Sequence, residues 1–112
     1  KYMLEKEFKE WLEKQTKDHT GTLLSKKVIS NHLSDIRRVF KVYDLHDEYK
    51  KDKCKSIIAL FDYSKDDERV SAKPKCDIKI KGSVYKVLKA LKGSIVKYQM
   101  FLNYCVSTGV TF

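Results

Sequence analysis

Four glycines and one proline are all that interrupt 112 residues, so the chain has few of the turn signals a many-stranded sheet requires. Helices with short joints are the expected alternative. Cysteine is sparse and odd in number. Cys54, Cys76 and Cys105 stand far apart, with no CxxC and no nearby histidine pair, which argues against a disulfide framework or a zinc site and for free thiols in a reducing cytosol. No apolar run approaches the roughly 18 to 20 residues of a membrane span, and the first residues form no signal peptide. Glycine-rich phosphate loops, GxSxG and HExxH are absent, and His19, His32 and His46 are scattered. The reading therefore assigns no catalytic residue, metal, small-molecule cofactor or membrane partner. Acid is also in deficit. Fifteen Asp and Glu face 24 Lys and Arg, a net charge of +9, which indicates an anionic partner, nucleic acid first and an acidic protein or membrane surface second.

What is present suits one folded domain spanning 1–112, expected to be a piece of something longer. Hydrophobic content of 42% with 12% aromatic supports a single modest core, and acids interleaved with bases indicate a folded surface rather than a polybasic tail. Helical spacing predicts a first helix from Met3 to Lys17 (Leu4, Phe8, Trp11, Leu12), then a loop over Asp18-His19-Thr20-Gly21-Thr22 with Gly21 left-handed. A second helix runs from an N-cap at Ser25 to about Tyr43-Asp44, and a third lies within Asp47 to Tyr63. The stretch 64–81, with its Asp66-Asp67-Glu68 cluster and Pro74, reads as a long irregular connection, either mobile or functional, carrying exposed acid. Ser83 opens a short helix that Gly93 ends, and Ser94 begins a last, nearly all-apolar helix that Gly109 stops and that forms the centre of the bundle. The expected fold class is all-α, a compact bundle of four to five helices. Trp11, Ile29, Leu33, Ile36, Phe40, Ile58, Leu88 and Leu102 are its predicted core.

The second helix is the most informative stretch. Ile29, Leu33, Ile36, Phe40 and Tyr43 recur at steps of four and three on one side. Lys27, Asn31, Ser34, Arg38 and Lys41 recur likewise on the other, with Lys26 and Arg37 beside them. Long cations alternating with short hydrogen-bonding side chains suit a phosphate backbone. Asn31 and Ser34 are the residues placed to reach a base edge. A second basic face, Lys86, Lys89, Lys92 and Lys97 with Tyr98, lies on the last two helical segments. Tyr98 is read as either core or a phosphate-contacting hydroxyl. Either face could simply be solvated, but together they could build one groove.

The order of signals resembles the SAM-like core-binding domain of tyrosine recombinases (phage integrases). A helix carrying FKEWL is followed by Leu24-Ser25, by LSDIRRVF in the second helix, and by a last helix ending FLNYCVSTGV. Family members open the second helix with a phrase like LS-x-x-T, where this chain has Val28 in place of Thr. The connection 64–81 is longer than a minimal core-binding domain needs and is similar to helical accessory domains of restriction-type nucleases. The resemblance implies half of a clamp around duplex DNA, the second and last helices facing the DNA, and other protomers of the same recombinase as partners. It also implies a catalytic domain outside this chain and a cytoplasmic, nucleoid-associated location in a prokaryote or phage. A helical protein-interaction module and an RNA-binding bundle are the competing readings.

Overall fold

Helix α1, Glu5–Glu13, places Glu5 and Glu7 in its first turn, where the helix dipole favours negative charge. The computed structural model describes residues 3–16 and 21–112. The predicted reach of the first helix to Lys17 is not realised, since α1 ends at Glu13, and Lys17, Asp18, His19 and Thr20 lie outside the described residues. Thr16 and Leu23 form an isolated antiparallel bridge, and Gly21 is left-handed, with φ +66°.

Helix α2, Lys26–Phe40, starts as expected, with the Ser25 hydroxyl accepting from the Val28 N–H at 3.2 Å. It stops short of Tyr43-Asp44 because Asp44 instead caps α3, Leu45–Asp52, accepting from the amides of His46 and Asp47. The predicted third helix is broken in two. Lys53 and Cys54 adopt consecutive left-handed conformations, φ 59° and 68°, before α4, Lys55–Leu60. The Asp52 carboxylate caps the new helix by accepting from the Ser56 amide and hydroxyl. Burial of the Cys54 side chain, whose thiol donates to the Leu45 carbonyl at 3.6 Å, offsets the backbone cost. Lys53 is exposed and has no such compensation. Lys53→Gly should therefore stabilise the domain by about 1 kcal/mol. A urea midpoint unchanged or lowered by this substitution would contradict the left-handed assignment.

The stretch 64–81 is neither wholly irregular nor loose. Ser64 and Asp67 form a reciprocal capping box at the start of α5, Lys65–Arg69. The Glu68 carboxylate then accepts from the Ser83 hydroxyl at 2.7 Å and the Tyr85 amide at 2.9 Å, docking α5 on the start of α6, Val84–Ser107. Acid read as merely exposed charge is thus structural at two of its three positions. Downstream, Cys76 and Ile78 are buried, and the Asp77 amide donates to the Tyr43 hydroxyl at 2.9 Å.

The predicted break at Gly93-Ser94 does not occur. Gly93 lies inside a 24-residue α6, and Ser94 is buried with its hydroxyl satisfied by side chains of α2. A mid-helix glycine costs only about 1 kcal/mol relative to Ala, less than α6 recovers by packing along α1, α2, α4 and α5. Gly109 ends it in a left-handed conformation, with the Val110 amide reaching back to the Cys105 carbonyl. The result is all-α, with six helices among the described residues where four to five were expected.

The core centres on Tyr98, fully buried. Its ring lies edge-on to Phe8 at 4.8 Å and to Phe40 at 5.6 Å, with Phe101 at 5.4 Å and His46 stacked at 5.7 Å. Ile29, Leu33, Ile36, Leu88 and Leu102 are buried as expected. Trp11, Phe40 and Ile58 are only partly buried. Val39 is buried as well, and Phe40, though partly exposed, still packs edge-on against Tyr98 and His46. All three cysteines are buried and unpaired; burial pushes the Cys54 thiol up to about 12.

Candidate nucleic-acid interface

The predicted site residues of α2 divide three ways. Lys27, Asn31, Ser34 and Lys41 are exposed along the side opposite Ile29 and Ile36. Arg38, on the same side, is half-buried because its guanidinium donates to the Lys79 carbonyl at 2.5 Å, fastening the extended strand-like stretch after Pro74 onto α2. Lys26 and Arg37 turn towards α1. Lys26 lines a small cleft with Lys9, Glu13 and Leu33. Arg37 is engaged by Glu5 in a two-pronged pair of 2.7 and 2.8 Å. That hydrogen bond holds the Glu5 carboxyl below the usual carboxylate range. Arg37 would have to leave Glu5 to meet a phosphate.

On α6 the expectation for Tyr98 is corrected. Its hydroxyl accepts from the Leu4 amide at 3.1 Å and shares a hydrogen bond with His46 Nε2 at 2.7 Å, so it holds α1 to α3 inside the core. Desolvation raises its pKa further. Lys97 is half-buried, near enough to His32 to disfavour a charge there. Lys86 and Lys89 are exposed, whereas Lys92 is paired with Asp62.

Where α2 crosses α6 the two helices enclose an open cleft of about 650 Å³. Asn31 and Val28 stand on its α2 side, Lys86, Lys89 and Gly93 on its α6 side, and Lys65 enters from α5. Of the two faces inferred from sequence, Asn31 of the α2 strip and Lys86 and Lys89 of the α6 face line this groove, and the α2 cations lie outside it. Its base is polar and fully satisfied. The Ser94 hydroxyl donates to Asp35 Oδ2 at 2.7 Å and accepts from His32 Nδ1 at 2.8 Å. A carboxylate only accepts, so the serine proton goes to Asp35, and His32 carries its proton on Nδ1. Ser94 is 1% exposed, and its hydroxyl is taken up by two side chains of α2. The triad is a clasp between α2 and α6.

Sequence reasoning missed Tyr85, Lys65 and the role of His32. Tyr85 is half-buried, with the ammonium groups of Lys65 and Lys89 each 5.8 Å from its ring centroid. Tyr85 and Lys89 are four apart, a legible helical spacing. Lys65 has no such signal, since the Glu68 tether to α6 brings it there.

His32 links the clasp to pH. Desolvation, and to a lesser degree Lys97, lowers its pKa against the opposing pull of Asp35. As pH falls, the unfolded chain takes up the proton first, at its ordinary 6.5. The stability this residue contributes is therefore complete above that value and is lost as pH drops through the lower folded-state value. Thermal midpoints between about pH 8 and 5 should decline more steeply in the parent than in His32→Gln. Parallel profiles would remove His32 as the cause.

No family model, curated protein or solved structure matches this chain. No helix among the described residues is long and apolar enough to cross a membrane.

Proposed function

We propose that this domain binds duplex DNA along the α2–α6 groove, as the core-binding module of a tyrosine recombinase whose catalytic residues lie in another domain. The observation that carries the reading is a groove between α2 and α6 in which Lys65, Lys86 and Lys89 stand with Asn31, the exposed Lys27, Ser34 and Lys41 lying on the same helix outside it. Lysines spaced along a groove can follow a line of phosphates, and Asn31 beside them has the amide that pairs with an adenine edge. Lys27, Arg38 and Lys41 extend the footprint along α2, with Ser34 between them. Lys97 contributes at the α6 edge. Other protomers on the same DNA, and a nucleoid location in a prokaryotic or phage context, follow from the recombinase resemblance alone.

Fluorescence anisotropy with a labelled duplex tests the proposal. Association is expected around micromolar, with little sequence preference and a loss of affinity of tenfold or more between about 50 and 200 mM salt. Unlabelled duplex of unrelated sequence should compete. Salt-indifferent binding, or none, would count against the reading.

A further inference from the structure

A second cleft, of about 520 Å³, opens on the other side of Tyr85. It shares Tyr85 and Lys89 with the α2–α6 groove, and its far wall carries Lys73 and Lys75. The placement of these two lysines is not accidental to a loose loop. From Lys73 to Ile80 the chain alternates outward and inward: Cys76 and Ile78 are buried and Ile80 partly so, while Lys73, Lys75 and Lys79 are exposed. The stretch is also tied at both ends, by the Tyr63 hydroxyl donating to the Ala72 carbonyl at 2.7 Å and by Arg38 on the Lys79 carbonyl. A strip held on apolar anchors thus presents Lys73, Lys75 and Lys79 outward, with Asp77 between the last two.

The acids bordering this cleft are already committed. Asp62 pairs with Lys92, Asp67 closes the capping box of α5, and Glu68 holds the start of α6. Lys65, Lys73, Lys75 and Lys89 have no carboxylate partner among the described residues. Two of them, Lys65 and Lys89, are gathered on one tyrosine ring despite their like charge. A cleft with fixed, unneutralised cations on its walls is complementary to a polyanion.

Resting on the duplex-DNA reading above, we infer that this second cleft is a second phosphate-binding site for the same duplex, with Tyr85 as the ridge between two runs of backbone phosphates. The 64–81 segment, otherwise only a long connection, then supplies one wall of the DNA-binding surface.

The test compares salt titrations of the whole chain on a labelled duplex of about 25 base pairs, long enough to cover both clefts at 3.4 Å per base pair. Lys73→Gln/Lys75→Gln should keep the parent melting temperature, weaken binding about tenfold and lower the salt slope by one to two units, since each lost phosphate contact removes about 0.9. Lys73→Arg/Lys75→Arg should restore the slope. Asn31→Ala/Lys86→Gln, at two residues that line only the α2–α6 groove, reports separately on it. If that pair loses affinity while Lys73→Gln/Lys75→Gln binds like the parent, the second site is overturned and the first stands. If both pairs bind like the parent, both are overturned. Tighter binding of one strand alone, abolished by Tyr85→Leu, would overturn the duplex as occupant of the second cleft.

Discussion

Tyr98→Ala is expected to leave the domain largely unfolded at 37 °C. The ring is fully buried among Phe8, Phe40, Phe101 and His46, and removing such an aromatic costs about 3 to 5 kcal/mol. Two polar groups also lose their partner, the Leu4 amide and His46 Nε2, each an added cost of about 1 to 3 kcal/mol where no water replaces it. Together these approach the whole stability of a small domain, about 5 to 15 kcal/mol. Tyr98→Phe separates the contributions, since it keeps the ring and removes only the hydroxyl. Its cost should be about 1 to 3 kcal/mol by urea denaturation. A Tyr98→Ala protein melting within a few degrees of the parent would show that this aromatic cluster is not the core. Tyr98→Phe also decides whether Tyr98 is a DNA contact, because it should bind duplex like the parent.

Reversing Lys86 and Lys89 to Glu should have the largest effect on DNA affinity. Both side chains are exposed on the rim of the α2–α6 groove, and Lys89 also borders the second cleft. Reversal removes two cations and sets two carboxylates against phosphate. A loss of about 100-fold or more at 50 mM salt is expected, with the salt slope reduced by about two units. Arg37→Ala provides the contrast. Its guanidinium is already paired with Glu5, so affinity should change little. Both partners are about half exposed, and the pair is worth at most about 1 kcal/mol of stability. Full affinity in the Lys86→Glu/Lys89→Glu protein, folded by circular dichroism, would move the interface to the outer strip of α2 alone.

The two basic surfaces were legible for different reasons. On α2 the strip Lys27, Asn31, Ser34, Arg38 and Lys41 follows from helical spacing against a clear apolar side, and periodicity needs no knowledge of neighbours. Spacing could not separate those residues from Lys26 and Arg37, because what distinguishes them is α1 packed on one flank, with Glu5 waiting for Arg37. Tyr98 was ambiguous for a related reason. A tyrosine on an apolar helix is equally suited to a wet edge or a dry interior, and His46 and Leu4, remote in sequence, settle it.

Local chemistry determined the all-α class, the N-caps at Ser25 and Ser83, the stop at Gly109 and the outward strip of α2. Each depends on residues within a turn or two of one another. Tertiary structure alone decided the rest. It carried α6 through Gly93 because the clasp of Ser94 with His32 and Asp35 outweighs one glycine. It split the third helix at Lys53-Cys54, since burying Cys54 there offsets two left-handed residues. It also converted the 64–81 connection into a docked helix and an anchored lysine strip, through Glu68 at the start of α6 and the buried Cys76 and Ile78. Those contacts join residues far apart along the chain, and their free energies exceed the local preferences from which a sequence is read.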